Sequence, residues 1–200
     1  AGRVKTGRKG TAVYTIKAHG IPAHAGLEPE RGANAIFAIA AAIDFAHGLA
    51  RPELGTTANV CLVSGGTASN VIPEHARCSV DVRFKSAAEA ERVDSLIRSF
   101  AAKDPRVSIE VEGGINRPPM ERTPDVAALY LRAAAIAGTF GYELGETEVG
   151  GASDSNFVAA AGTPGLDGLG ISGDGAHTLQ EYINIDDIVP RAALVTGLLS

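Results

Sequence analysis

Apolar and polar residues alternate most cleanly over "ARCSVDVRF" (76–84). Ala76, Cys78, Val80, Val82 and Phe84 share one side there, and Arg77, Ser79, Asp81 and Arg83 the other. A period of two marks a strand with one face in a core and one in water. "TAVYTIKA" (11–18) repeats it with Ala12, Tyr14, Ile16 and Ala18, "TTANVCLV" (56–63) is β-branched, and "VSIEVE" (107–112) closes the series. Between the strands the period lengthens. "EPERGANAIFAIAAAIDFAHG" sets Ile36, Ile39, Ala40, Ile43 and His47 three and four apart, predicting a helix that opens near Pro29 and closes at Gly48. Val93, Leu96, Ile97 and Phe100 predict a second helix over 87–100.

Strand, helix, strand, strand, helix, strand is the split βαβ order. It predicts an α+β domain, a four-stranded antiparallel sheet with two helices on one face. "GGINRPPMERTPD" (113–125) is turn-rich and reads as a boundary. Beyond it the pattern predicts a helix around 125–137, a strand near 142–148, a glycine-rich turn "VGGASDSNF" and an apolar strand near 165–169. A loop "GISGDGAHTLQEY" and a last helix over about 185–199 complete the chain. These elements alternate but are too few for a doubly wound sheet, so the second part reads as an incomplete α/β segment.

Composition narrows the function classes. The 200 residues are 45% hydrophobic and 20% charged, ordinary for a globular chain. With a formal net charge of −5 and no basic run, nucleic acid and anionic membranes are not expected partners. No apolar run approaches the ~20 residues that span a bilayer, and "AGRVKTGRKG" has no apolar signal core. The first residue is Ala rather than Met, which raises the expectation that the natural beginning lies upstream. The two cysteines, Cys61 and Cys78, fit neither a metal pair nor a disulfide framework and are expected to be buried reduced thiols.

Candidate chemistry sits in turns. His24, in "GIPAHAG", lies between a strand and a helix, and His177, in "GDGAHT", follows an apolar strand in a glycine-rich loop. An imidazole can ligate a metal or donate a hydrogen bond to an oxyanion, and both jobs need a fixed tautomer. Glu181 is near enough in sequence to orient His177, although both can equally be surface residues. In "GGASDSNF", backbone amides can converge on an anion such as a carboxylate, or Ser153, Asp154 and Ser155 can simply start a helix. No phosphate-loop motif occurs, and Ser153 lacks the GxSxG elbow, which leaves a Ser153/His177 hydrolase as a weak alternative. Arg83 can clamp a carboxylate or pair with Asp81, and Asn70 can satisfy its own turn or reach a substrate carbonyl.

"RKG…AHG…AHAG", "GGTASNVIPEHARCSVDVR", "GGASDSNF" and "GLGISGDGAHTLQEY" together resemble the zinc-dependent amidohydrolase and peptidase family of glutamate carboxypeptidase, acetylornithine deacetylase, succinyl-diaminopimelate desuccinylase and the aminoacylases. The resemblance covers the chain from Arg8 onward. It implies a lid or dimerisation domain over 1–116, inserted into a catalytic domain of which 117–200 is the C-terminal part. The family's upstream ligands are not found, because no His is followed by x-Asp and no Glu-Glu pair occurs. The N-terminal half of the catalytic domain is therefore expected to be absent.

By resemblance, His177 is the C-terminal zinc ligand and His24 the histidine that the lid passes to a partner's active site to steady the oxyanion. Asn70 and Arg83 resemble lid residues that touch substrate, while Gly150, Gly151 and Arg117 resemble groups that hold its carboxylate. The implied intact enzyme uses two zinc ions and a bound water to cleave the amide of N-acyl amino acids or small peptides, as a dimer of this chain. Its expected location is cytoplasmic. The isolated chain is expected to bind zinc poorly and to be inactive. The other class open to the sequence is a non-catalytic dimerisation or binding module.

Overall fold

The computed structural model describes residues 2–200. Along the chain run β1 (Val4–Arg8), β2 (Gly10–His19), β3 (Ala23–His24), α1 (Ala35–His47), β4 (Thr57–Gly65), β5 (Val71–Ile72), β6 (His75–Phe84), α2 (Ala87–Arg98) and β7 (Ser108–Arg117). They are followed by α3 (Pro124–Gly138), β8 (Glu146–Val149), α4 (Ser155–Ala160), β9 (Gly173–Asp174), β10 (Tyr182–Ile183) and α5 (Ile188–Leu199). The chain divides into two compact units, residues 10–118 and a second unit that joins the residues before Gly10 to 119–200.

The 10–118 unit is an antiparallel sheet of order β4-β6-β2-β7. The alternation that predicted its central strands is the alternation of burial. Ala12, Tyr14, Ile16 and Ala18 from β2, and Ala76, Cys78, Val80, Val82 and Phe84 from β6, face one core with buried residues of α1 and α2. Tyr14 is fully buried, and its hydroxyl donates to Asp94 Oδ1 at 2.9 Å. Burial, and then that bond, push the Tyr14 phenol well above its ordinary range.

Three expectations change here. The first helix starts at Ala35, where Asn34 caps it by accepting from the Ile36 and Phe37 amides; Pro29–Arg31 is a separate 3-10 turn. Its buried face is Ala35, Ala38, Ile39, Ala42 and Ala46 rather than the stripe of Ile36, Ile39, Ala40, Ile43 and His47. Alanines let the helix lie close to the sheet, and Ile36 and Ile43 are displaced to its margin beside Val63 and Ala76. The last strand does not stop at 112 but runs to Arg117, through glycines expected in a boundary turn. Cys61 is exposed, contrary to expectation, while Cys78 is buried. The pairing of β4 with β6 slips between Val60 and Leu62, so Cys61 sits at the irregularity of this strand.

The start of α2 carries a titratable contact. Ser86 caps it by accepting from the Glu89 amide, and the Glu89 carboxylate takes bonds from Arg92 and from Thr56 Oγ1 at 2.7 Å. Arg92, against an opposing burial cost, holds Glu89 down to about 2. A depressed carboxylate stabilises the fold above its unfolded range and loses that contribution as pH falls through the folded value. Thermal melting of the chain is therefore expected to drop between about pH 4.5 and pH 2. Glu89→Gln should be less stable at pH 7 and should show a flatter acid limb. A variant with the wild-type acid dependence would contradict this.

In the second unit β1 pairs parallel with β8, Val4 opposite Glu146 and Arg8 opposite Val149. β1 is therefore part of the second compact unit and not of the 10–118 unit. Val4, Ala133, Ala137, Leu144 and Leu194 form a small core between β1, α3 and α5. No strand forms at 165–169; Asp167 only bridges Lys5 by two backbone bonds of 2.7 and 3.1 Å. Arg191 of α5 is 2% exposed, and none of its three guanidinium nitrogens meets a hydrogen-bond partner among the described residues. Its guanidinium carbon lies 5.4 Å from the centroid of the Tyr142 ring, a cation–π contact that offsets part of the desolvation. No helix among the described residues is long and apolar enough to cross a membrane.

Candidate functional site

His24 is presented by a small, tightly closed structure at one end of the 10–118 sheet. β3 pairs with β5, Ala23 opposite Ile72 and His24 opposite Val71, and the Ala25 amide donates to the Asn70 carbonyl at 2.9 Å. The chain reaches this pairing through Gly20, where an added Cβ would sit 2.0 Å from the Ala33 carbonyl oxygen. Only glycine permits that approach.

The His24 ring is exposed, and its Nδ1 accepts from the amides of Gly26 at 3.2 Å and Leu27 at 3.1 Å. Two donors on Nδ1 fix the neutral tautomer with its proton on Nε2. The outward atom of the ring is thus a hydrogen-bond donor.

The sheet separates the remaining candidates of this unit. Asn70 lies exposed beside His24, whereas Arg83 and Arg117 both stand opposite Thr11 at the far end of β2. At about 3.3 Å per residue, Thr11 to His19 is roughly 26 Å. Arg83 is bidentate to Asp81 at 2.8 and 2.9 Å, so its fork is already filled. The structure places His24 and Asn70 at one end of the sheet and Arg83 and Arg117, on either side of β2, at the other.

In the second unit Gly150 and Gly151 precede α4. The amides of Ser153, Ser155 and Asn156 are taken up by Asn156 Oδ1, Ser153 Oγ and the Ser153 carbonyl, which leaves the anion reading to the Gly150–Ala152 backbone. Two residues missed from the sequence set this loop. Arg8 donates to the Gly151 carbonyl at 2.8 Å and pairs with Asp167, which also accepts from Ser153 Oγ and the Gly168 amide. Burial raises Asp167, and the bonds from Ser153, Gly168 and Arg8 outweigh it, leaving the carboxyl below its usual range. "RKG" marked the segment of Arg8, but no local pattern links it to a carboxylate 159 positions away.

His177 lies in the loop between β9 and β10, exposed, with φ of 67°. It is the one non-glycine residue with positive φ among those described. Such backbone costs a bulky residue about 1 kcal/mol or more, and it clusters where a side chain must be aimed. Zinc takes three or four protein ligands. No group of three or more His, Cys, Asp or Glu side chains placed to hold a metal occurs among the described residues. His177 therefore offers one imidazole, and the described residues do not by themselves assemble a zinc centre with three or four protein ligands.

A family model described as a peptidase dimerisation domain matches residues 6–107, which include the whole sequence from β2 to α2. The chain belongs to the peptidase dimerisation-domain family. Among curated relatives of this dimerisation-domain chain, carboxypeptidase G2 of a Pseudomonas species is 26% identical, the match covering 98% of this chain and 48% of the relative. Succinyl-diaminopimelate desuccinylase of Paracoccus denitrificans is 30% identical, with 98% and 53% covered. Aminopeptidase PepT of Bacillus cereus superposes with a TM-score of 0.84 at 27% identity, again covering 98% of this chain and 53% of that one. The chain spans about half the length of the curated relatives it matches.

Proposed function

We propose that this chain is about half of a metal-dependent amide hydrolase that acts on N-acyl amino acids or small peptides. The observation that carries the reading is the His24 ring, exposed on a dimerisation domain with its Nδ1 satisfied and its Nε2–H directed outward. A pre-set donor of this kind suits the negative charge that develops on a carbonyl oxygen during attack. Asn70, beside it, is proposed to touch the same substrate. The backbone at Gly150 and Gly151, steadied by Arg8, is proposed to hold a substrate carboxylate, and Arg117, in the 10–118 unit, is proposed separately as a substrate-binding side chain. Arg83, held by Asp81, is assigned no substrate contact. His177 is proposed as one ligand of a zinc centre completed by residues outside this chain. When bound, the metal supplies an activated water.

The partner is proposed to be a second copy. β4 is an edge of the sheet, and its Leu62 and Val63 are 71% and 65% exposed. A groove of about 330 Å³ runs beside it, lined by Ile36, Ile39, Ile43 and Val63. An open apolar edge of this kind is a template for strand-to-strand association.

The test is hydrolysis of N-acyl amino acids and dipeptides by the 200-residue chain and by a longer protein carrying the preceding coding sequence, both in zinc-containing buffer. The chain alone should show no turnover and the longer protein should. His177→Ala in the longer protein should abolish it. Turnover by the chain alone, or full activity without His177, would overturn the proposal.

A further inference from the structure

β2 and β6 end their ladder with His19 directly opposite His75, both on the sheet face away from the helices. The two Nδ1 atoms are 3.2 Å apart, with the rings edge-on at 78°. The distal nitrogens turn the other way. His19 Nε2 lies 3.6 Å from Glu110 Oε2, and His75 Nε2 lies 3.6 Å from Glu74 Oε2.

We propose that His19 and His75 form a second metal site, a two-imidazole chelate for a borderline divalent transition metal such as nickel or zinc. Two nitrogens each about 2.0–2.1 Å from one ion, at angles between square and tetrahedral, stand roughly 2.8–3.4 Å apart. The separation in the structure falls inside that span. Ligation at both Nδ1 atoms leaves the protons on Nε2, and each Nε2 has its own carboxylate nearby. At 3.6 Å both lie beyond hydrogen-bond distance, so the carboxylates contribute negative charge beside the rings rather than fixed bonds.

The surroundings permit an ion. Lys17 Nζ is 2.6 Å from Glu112 Oε1 and Arg77 Nε is 3.2 Å from Ser64 Oγ, so the lysine and the arginine that line the cavity beside the pair have partners of their own. An open cavity of about 430 Å³, lined by Lys17, His19, Ser64, Thr67, Glu74 and His75 among others, leaves room for a hydrated ion. No third protein ligand joins the pair among the described residues, so water completes the shell. Imidazole donors select nickel, copper or zinc over magnesium and calcium, which prefer oxygen. Protons compete for the same lone pairs, so binding weakens as pH falls.

Calorimetric titration of the full chain with nickel(II) at pH 7.5 tests the site. One ion per chain is expected, with His19→Gln and His75→Gln each weakening it by about tenfold or more. The variant His47→Gln, in the last turn of α1, should bind as the parent does. In the wild-type chain, zinc should shift the ring ¹⁵N resonances of both Nδ1 atoms, a readout that stands even if a variant fails to fold. Equal nickel affinity without His19, or zinc-induced shifts centred on His24 or His177, would overturn the proposal. The two centres share no residue, so failure here leaves the proposed amide-hydrolase site untouched.

Discussion

Replacing His24 by glutamine in the longer protein is expected to lower kcat for amide hydrolysis by about 10²–10³-fold with KM nearly unchanged, the effect of losing one oxyanion donor, which is the role proposed for it. The backbone around residue 24 should be unaffected, because β3 is held by its pairing with β5 and by the close contact at Gly20, not by the ring. A histidine carried by a dimerisation domain has a more specific signature if it serves the partner's site. In a mixed dimer of His24→Gln with His177→Ala, one site combines an intact His177 with the other chain's intact His24. Random mixing makes half the dimers mixed, each with one working site of two, so activity should return to roughly a quarter of wild type. Single variants alone should remain near zero. No recovery on mixing freshly exchanged subunits, or a kcat within a few-fold of wild type for His24→Gln, would contradict the role.

Gly113→Ala is expected to destabilise the 10–118 unit by about 3 kcal/mol or more. Gly113 has φ of +87°, and an added Cβ would lie 2.2 Å from the Val13 carbonyl oxygen of the neighbouring strand. Both the left-handed backbone and the approach of β2 reject a side chain, and the neighbouring atom is main chain that cannot swing away. Gly26→Ala is the comparison, since its added carbon would meet only the His24 ring at 3.7 Å, an ordinary contact. Urea denaturation should show a large fall in midpoint for the first and little change for the second. Similar midpoints would remove the steric account of β7.

The sequence made the centre of the sheet legible because β2 and β6 each bury one face completely, and burial on one face is what a period of two records. It was less legible wherever shape rather than hydrophobicity decided the outcome. In α1 four small alanines go inward with Ile39, while Ile36 and Ile43 stay at the margin, which inverts the usual weighting of apolar residues. The strand β1 was invisible because its partner is β8, and a short parallel pairing leaves no trace in either segment alone. Gly113 of β7 looked like part of a boundary because the contact that requires it, with Val13, lies on another strand.

The candidate residues divide in the same way. His24 and His177 stood out as histidines among small residues in turns, and the structure adds what a string of letters cannot carry: a fixed tautomer for one and a left-handed backbone for the other. Arg8 and Asp167, which hold the Gly151 loop, had no local signature because their meaning lies in their distance along the chain.

The 10–118 unit begins and finishes on neighbouring strands: Thr11, one residue after its start, pairs with Arg117, one before its end. A segment whose two ends lie side by side behaves as a cassette. It can be excised and bridged by a short linker, or traded for a module of different size, without prying open the body that carries it.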